Sequence, residues 1–346
     1  MVRIWVAMLM MTAVTTMAAP ANWSNADWAY RAQVSACSLE QRENAMVEWD
    51  VDFADLLNRA GAQGAFDPNS PRVMLLQDGQ EKEVPCRFFA EKDSPAKGTL
   101  CWLRMGTMPA NALESYSVYF DAGAAKAAKA YPELARAKPA LAKNLAVNGA
   151  LILADKADPA KPAGWTYFLS DADKTRGEWV KEGTADPYFK LTDTVAEGSM
   201  ACAIQPGVAV EPLKRYAASC WVKAGKETTN GFVILTNWFS GSEGQPVASP
   251  DGNYGNYKMQ GALTITPNAE TPWTYKAFTA INFYDPKSKD NGPTPEQKTL
   301  PGTAQVRLEV GAIYGTAVAC FSDIAFREMP DGTPIGLRVT EVQKKP

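Results

Sequence analysis

The stretch VEPLKRYAASCWVK at residues 210–223 decides the fold class. From Tyr216 onward, residues that suit a buried face alternate with the others in the two-residue period of a β-strand. Tyr216, Cys220 and Val222 share one face, and Trp221 lies on the other. We expect the first face to pack against a second sheet and the second to place Trp221 on the outside. This pattern predicts a β-sandwich.

Similar short runs occur on both sides of this strand. Thr303 to Val310 alternates in the same way, with Val306 and Leu308 on the face of Val310. Six runs in the first third of the chain have turn residues between them, which is typical of an antiparallel sandwich. They are Arg31–Cys37, Ala45–Val51, Arg72–Leu76, Glu83–Phe89, Gly98–Met105 and Tyr116–Phe120. Residues 53–60 are predicted to form one or two helical turns that end at Gly61.

These patterns predict an all-β chain with two β-sandwich domains. We assign residues 1–21 to a signal peptide, 22–121 to the first sandwich and 122–143 to an Ala/Lys-rich linker broken by Pro132 and Pro139. Residues 144–330 form the second sandwich, and 331–346 are expected to be a C-terminal tail. A Pro-broken, apolar-poor segment between strand-rich regions is typical of a linker.

The first 21 residues have the layout of a secretory signal. Arg3 precedes a short apolar run, and small residues follow it, including Ala18, Ala19 and Ala21. Cleavage after Ala21 fits best, with cleavage after Ala18 as the alternative. We expect a secreted, periplasmic or cell-surface protein without a membrane span, because the apolar run is shorter than the roughly 20 residues that a span requires.

Composition excludes several functional classes. The 346 residues carry a formal net charge of −3, which is unlike the basic excess of nucleic-acid binders. The histidine count is 0, so neither a Ser-His-Asp triad nor a His-ligated metal site is available. Carboxylate chemistry remains possible, because glycoside hydrolysis needs only two acids. Asp50, Asp52 and Asp55 lie close together, but nothing in the sequence marks one particular pair.

Export makes the six cysteines candidates for disulfides. Cys86 and Cys101 fall on consecutive predicted strands, and a hairpin centred near Asp93 and Ser94 places them opposite each other. We therefore predict a bridge between these two. The alternative is that these thiols are free and act as small buried hydrophobic groups.

The second half of the chain resembles the carbohydrate-binding modules of the galactose-binding-like jelly roll. Five motifs carry the resemblance, in the family's order. They are residues 144–149 (NLAVNG), 162–165 (PAGW), 216–223 (YAASCWVK), 273–278 (WTYKAF) and 321–326 (FSDIAF). The first part, with WAYR at residues 28–31, resembles a small β domain of exported bacterial proteins linked to polysaccharide use.

The resemblance implies a sugar site built from aromatic rings and amides. Trp221 is expected on an outer face, and Trp238 lies where the chain leaves a strand. A Gly/Asn-rich loop supplies the rest of the predicted site, namely Tyr254, Tyr257, Asn253 and Asn256. The alternative is that each ring is an ordinary exposed aromatic side chain, or belongs to a turn or an interface.

The family's jelly rolls often hold a structural calcium ion, and Asp323 matches the acidic ligand of the closing strand. The acidic partner expected after Asn148-Gly149 is missing, and Asp155 is a candidate substitute. No other cofactor is required. We expect an exported, non-catalytic carbohydrate-binding protein whose partner is an oligosaccharide or polysaccharide. The alternatives are a glycan-degrading enzyme that uses carboxylates or tyrosine, and a structural or protein-interaction β-sandwich of the cell surface.

Overall fold

The computed structural model describes residues 23, 27–123, 126–195, 198–229, 231–242, 262–263, 270–280, 299, 302–329 and 333–345. For residues 232, 236–239, 262–263 and 279–280 this description covers the backbone only. The predicted signal peptide, residues 1–21, lies outside the described residues. Among the described residues, no helix combines the length and the apolar character that crossing a bilayer requires.

The first sandwich consists of two antiparallel sheets. In spatial order, one sheet contains Gly336–Lys344 (β18), Tyr30–Cys37 (β1), Leu113–Phe120 (β7), Arg72–Gln77 (β3) and Gln80–Val84 (β4). The other contains Arg42–Asp52 (β2), Ser94–Met108 (β6) and Cys86–Glu91 (β5). Between the sheets lies a core that includes fully buried Val47, Trp102, Tyr116 and Phe120. Burial of these large apolar groups is the main stabilising contribution to the sandwich.

One short helix, Phe53–Arg59 (α1), follows β2 directly. Asp52 caps it, because its carboxylate accepts hydrogen bonds from the Ala54 and Asp55 amides at 3.0 and 3.3 Å. The helix ends before Gly61, whose φ of +65° favours glycine. This confirms the helix predicted at residues 53–60.

The predicted C-terminal tail is wrong, since residues 336–344 form β18. This strand pairs with β1 over its whole length, from Cys37 opposite Gly336 to Tyr30 opposite Lys344. Val339 and Val342 are buried in the core of the first sandwich. The last strand of the chain therefore belongs to the first domain, because its apolar face completes that core.

The linker packs against the first sandwich. A single 3₁₀ turn, Pro132–Leu134, interrupts it, and Leu134 is buried. Lys129 forms an ion pair with Glu83 at 2.7 Å, and the Tyr131 hydroxyl donates a hydrogen bond to the same carboxylate. Residues 126–135 thus form part of the surface of the first domain.

The second sandwich has two five-stranded antiparallel sheets. One contains Thr274–Ala280 (β15), Tyr216–Ala224 (β12), Ala317–Glu328 (β17), Tyr188–Asp193 (β10) and Thr175–Val180 (β9). The other contains Ala262–Leu263 (β14), Phe232–Ser240 (β13), Gln305–Ile313 (β16), Met200–Ala209 (β11) and Thr166–Leu169 (β8). Tyr216, Cys220 and Val222 pack between the sheets against Val306 and Leu308. The prediction of an all-β chain with two sandwiches, the second a jelly roll, is confirmed.

The predicted Cys86–Cys101 bridge is wrong, and the reason is strand register. β5 and β6 do form the expected hairpin, but Cys86 pairs with Trp102, and Cys101 pairs with Arg87. At the irregularity between Ala90 and Glu91 the pairing changes from Ala90 with Gly98 to Glu91 with Ser94, and the resulting register leaves Cys86 and Cys101 one position out of alignment, on opposite faces of the sheet. All six cysteines are free and buried, so the alternative of small hydrophobic thiols holds.

We predict that the six thiols are chemically silent in the folded protein. Burial raises the pKa of every one of them, for example to about 11 in Cys86 and Cys320 and to about 12 in Cys101. Only the thiolate is nucleophilic, so an aromatic disulfide reagent at neutral pH is expected to titrate none of them until denaturant is added. Rapid reaction of two or more thiols in the native protein would contradict this prediction.

Candidate functional site: an interdomain cleft

The outer face of the β12 sheet packs against the first sandwich. Trp221 on β12 lies opposite Tyr275 on β15, and their ring centroids are 5.7 Å apart. Both rings are buried in a small cluster with Cys37, the last residue of β1. The Tyr275 hydroxyl donates a hydrogen bond of 3.0 Å to the carbonyl oxygen of Pro334, just before β18. Aromatic burial therefore joins the two domains at this point.

Trp221 lies on the face that the alternation predicts, but its expected exposure is wrong. Only 1% of its surface is accessible, because the first sandwich covers this side of the sheet. Its indole Nε1 is buried, and no described residue accepts a hydrogen bond from it. An indole N–H usually finds a partner when it is buried. Trp102 and Trp179 also carry such unpaired N–H groups among the described residues, but of the three it is Trp221 that lines a cavity between the domains.

The other predicted sugar contacts are not brought together by the described residues. Trp238 lies on β13 at the register position opposite Arg307, and its side chain is outside the description. The predicted loop residues, Tyr254, Tyr257, Asn253 and Asn256, lie outside the described residues. Their role stays a prediction.

The described part of the outer face around β13 offers little open surface. Cys202, Ile234 and Ile313 form a small buried cluster there. Phe168, on the edge strand β8, is 47% exposed and is the large aromatic group described on that side. The more open polar space of the described structure lies between the domains instead.

Two connected chambers lie in this interdomain cleft. One has a volume of about 280 Å³ and reaches Trp221 and Tyr275. The other has a volume of about 400 Å³ and reaches α1. Three residues that line both chambers are Trp49, Asp50 and Asp323. Shared walls make the chambers parts of one cleft, with a floor from the second domain and a side wall from β2.

An ion pair connects the two walls of the cleft. Arg327 on β17 donates a hydrogen bond of 2.8 Å to Asp50 on β2 and a second one to the carbonyl oxygen of Ala142. The Thr99 hydroxyl donates to the same Asp50 carboxylate at 3.1 Å. These contacts fix β2 against the second domain while leaving the Asp50 side chain at the cleft wall.

The NLAVNG motif shapes the floor of the cleft. Asn144 donates to the carbonyl oxygen of Ile324 at 3.1 Å and accepts from the Phe326 amide at 2.9 Å, which ties the motif to β17. A Cβ on Gly149 would lie 2.0 Å from the Ile324 oxygen, so this close approach requires glycine. The family-like motif therefore has a packing role here, since it brings the Asn148 region to the cleft.

Asp323 lies in an irregular part of β17, opposite a register shift in β12 between Ser219 and Trp221. Its φ of +48° is in the left-handed region, which is uncommon for a residue other than glycine. Burial, and then the neighbouring charge of Asp186, raise the pKa of Asp323 well above its usual range, although Arg338 opposes the shift. The raised pKa favours the protonated form of the Asp323 carboxyl.

The structural calcium expected at Asp323 stays a prediction. Asp155, the possible substitute, accepts hydrogen bonds from the Ala157 and Asp158 amides at 2.8 and 3.1 Å. In the ranges covered by the structure, no cluster of three or more acidic or cysteine side chains suits a metal ion.

Arg59 at the end of α1 connects the domains at the far chamber. Its guanidinium contacts Asp55 at 2.6 Å and Asp186 of the second domain at 2.7 Å. The Asp186 carboxylate also accepts a hydrogen bond of 2.5 Å from the Val339 amide in β18. One acidic side chain therefore joins α1, β18 and the second domain.

Replacing Arg59 by methionine tests the strength of this junction. The change leaves two carboxylates without their cation in a largely buried place, so we expect a loss of about 3 kcal/mol of unfolding free energy. Urea unfolding measures it. Arg176→Met on exposed β9 is the matched control and should change stability by less than about 0.5 kcal/mol. Equal effects of both changes would contradict the assigned role of Arg59.

No family model matches the chain, and no curated protein matches it. Similar solved structures include the enzymatically active domain of a bacteriophage CBA120 tailspike protein 4, with 12% identity and a TM-score of 0.34. That match covers 54% of this chain and 21% of the other, so this chain spans about a fifth of the tailspike structure.

Two further matches are carbohydrate-binding modules, the family that the C-terminal motifs resemble. The CBM22-1 xylan-binding domain from Paenibacillus barcinonensis Xyn10C has 8% identity and a TM-score of 0.32, over 56% of this chain and 100% of that one. TmCBM61 in complex with β-1,4-galactotriose has 10% identity and a TM-score of 0.29, over 54% of this chain and 99% of that one. These scores are too low to assign a function, which has to be argued from the cleft.

Proposed function

We propose that this protein binds an oligosaccharide or polysaccharide in the interdomain cleft. The wall of the cleft combines the rings of Trp49, Trp221 and Tyr275 with the polar side chains of Asn148 and Ser219. Sugar rings present apolar C–H faces and polar edges, and they need both kinds of group in one place. Small-molecule sites are typically such concave mixtures of apolar walls and a few polar groups.

The unpaired indole N–H of Trp221 carries this proposal. A buried donor without a partner costs roughly 1–3 kcal/mol, and this cost is recovered when a ligand oxygen accepts the hydrogen bond. Trp221 lines the 280 Å³ chamber, so a hydroxyl-rich ligand there would lie next to its ring. A glycan hydroxyl is the acceptor that we propose.

The connected chambers suit a short stretch of glycan. Together they reach the range of about 300–1,000 Å³ that is typical of ligand sites. Exposed Val147 and Leu153 stand beside Asn148 at the edge of the cleft, where further sugar rings would continue. We propose an extended ligand with one ring near Trp221 and others toward Trp49.

The place of action that we propose is outside the cytoplasm. The layout of residues 1–21 supports export, and the buried, protonated thiols are compatible with an oxidising compartment. N-terminal sequencing of the protein recovered from culture medium or periplasm tests this, with a start at residue 22 expected. Recovery only from the cytoplasm, with residue 1 still present, would contradict it.

Trp221→Phe is the sharpest test of the glycan site. It keeps an aromatic ring but removes the indole N–H with part of the ring surface, so we expect roughly a three- to tenfold weaker Kd for a glycan first identified on an array. Isothermal calorimetry measures the change. Trp102→Phe, in the core of the first domain, is the matched control and should leave Kd unchanged.

Two results would contradict the proposed site or the proposed function. Unchanged affinity in folded Trp221→Phe would remove Trp221 from it, and Trp238→Ala and Tyr254→Ala would then test the site predicted from the sequence. Absence of binding to any glycan on a broad array would contradict glycan binding altogether.

A second candidate function is glycoside hydrolysis, favoured by one observation. The pKa of Asp323 is raised, as that of a general acid must be, while Asp50 is ion-paired with Arg327, and both line the same two chambers. In such a reaction an acid protonates the leaving oxygen while a carboxylate activates water or attacks the sugar. Asp323→Asn and Asp50→Asn should each abolish release of reducing ends from the bound glycan. If the wild-type protein releases none, this candidate fails and glycan binding remains.

A further inference from the structure

We propose that a second pocket, at one end of the first sandwich, binds an acidic sugar, that is, a sugar ring that carries a carboxylate or a sulfate group. This linker pocket lies between the sandwich and residues 128–135, and its volume is about 480 Å³. It shares no lining residue with the two chambers of the interdomain cleft. The site itself is therefore independent of the cleft, and only the choice of a sugar as the ligand rests on the proposed glycan binding.

The starts of two neighbouring strands form one side of the linker pocket. Cys86, the first residue of β5, donates a weak hydrogen bond of 3.6 Å from its Sγ to the carbonyl oxygen of Pro71, directly before β3. Arg72 and Arg87 are the next residues along the two strands, and both line the pocket. The contact between β3 and β5 thus brings two arginines to the same end of the sandwich.

Arg72 is a buried cation without an ion-pair partner. The residue is 7% exposed, and its guanidinium carbon lies 5.3 Å from the centroid of the Trp28 ring. Its Nη1 donates to the carbonyl oxygens of Asn69 and Pro71 at 3.0 and 2.7 Å, and its Nη2 donates to that of Ala127 at 3.1 Å. These acceptors are neutral, and none of the described carboxylates forms an ion pair with Arg72. An uncompensated buried charge is costly, so a bound anion is stabilised there.

Arg87 lies at the opening of the linker pocket, where it is exposed. It donates long hydrogen bonds of 3.4 Å to the carbonyl oxygens of Leu134 and Ala135, and its guanidinium carbon lies 4.7 Å from the centroid of the Phe89 ring. Within the described ranges it also has no carboxylate partner. Guanidinium groups bind carboxylate and sulfate through parallel hydrogen bonds. Because its present bonds are long, Arg87 can turn toward such a ligand at little cost.

The charge around the linker pocket is positive, although the chain carries −3 overall. Lys129 also lines the pocket, and no acidic residue occurs among the lining residues that the structure describes. Glu83, outside the lining, pairs with Lys129 at 2.7 Å and interacts with Arg72 only at longer range. Three cations are thus compensated by one carboxylate. The cleft has Asp50 and Asp323 in both chambers, so an acidic ligand is attracted to the linker pocket instead.

The size and the apolar walls of the linker pocket favour an anion attached to a ring over a bare inorganic ion. Phe88 lines it and packs edge-on against Phe53 and Phe66, with centroid distances of 5.2 and 5.5 Å. Tyr131 also lines it, and its hydroxyl donates to Glu83. The volume falls in the range of about 300–1,000 Å³ that is typical of sites for organic ligands. The fixed rings can contact the C–H face of a sugar while the arginines bind its acidic group.

An NMR titration of the whole protein with sodium glucuronate tests this site. We expect saturable shifts of the backbone amide signals of Arg87 and Tyr131, and glucose 6-sulfate should shift the same signals. Glucose, which lacks the charge, and inorganic sulfate, which lacks the ring, should each bind at least tenfold more weakly. Raising the salt concentration from about 50 to about 500 mM should weaken glucuronate binding several-fold, because salt screens ion pairs at an open pocket.

Arg87→Gln removes one charge from the opening of the linker pocket. The side chain is exposed and its bonds to the fold are long, so the variant should fold, and we expect a Kd for glucuronate that is at least tenfold weaker. Arg176→Gln on exposed β9 is the matched control, since it changes the net charge equally, and it should leave this Kd unchanged. Trp221→Phe, in the cleft, should leave it unchanged as well.

The results for the linker pocket and for the cleft can be told apart. The proposed site is overturned if neither acidic sugar shifts the Arg87 and Tyr131 signals, if glucose or inorganic sulfate binds as tightly as glucuronate, or if Arg87→Gln has no effect on Kd. Shifts confined to the cleft around Trp221 also reject the linker pocket, but they retain the proposed function. Glucuronate binding beside Arg87 in a protein whose cleft binds no glycan retains the linker pocket and rejects the proposed cleft site.

Discussion

The return of β18 to the first sandwich is the constraint on which the rest of the structure depends. The chain leaves this domain after β7, builds a complete second sandwich and comes back to pair with β1 along its full length. The chain passes between the two domains twice, and two connections restrict the relative positions of the domains far more than a single linker would. The cleft, the burial of Trp221 and the Arg59–Asp186 contact all exist because the second domain is held at both ends.

Local patterns predicted the strands and the helix well, because the forces that produce them are local. The alternation at Tyr216 to Val222 and the Asp52 cap before Phe53 depend only on neighbouring residues. β18 also carries a readable signal, since Leu337 and Val339 share one face of an alternating run. Without knowledge of a partner strand, however, nine residues at the end of a chain resemble a tail.

The candidate site was less predictable, since it depends on register and on contacts between distant segments. A single irregularity near Ala90 turned Cys101 away from Cys86, and no composition rule locates such an irregularity. Alternation correctly placed Trp221 outside its own sandwich, but only the docked first domain explains why the ring is buried. Asp186 gave no sequence signal at all, because its importance comes from Arg59 and Val339, which lie more than a hundred residues away on either side.

The pairing of Tyr30 with Lys344 also sets the order of events during synthesis. The outer edge of β1 has no partner until the ribosome has made β18, and closing so long a loop is slow because contacts of high sequence separation form late. The first domain to be translated is thus the last to be completed, while the jelly roll can condense earlier as an inserted unit. Until β18 is made, this edge of β1 is open to pairing with other chains, so the protein is most vulnerable to aggregation in the interval before β18 pairs with it.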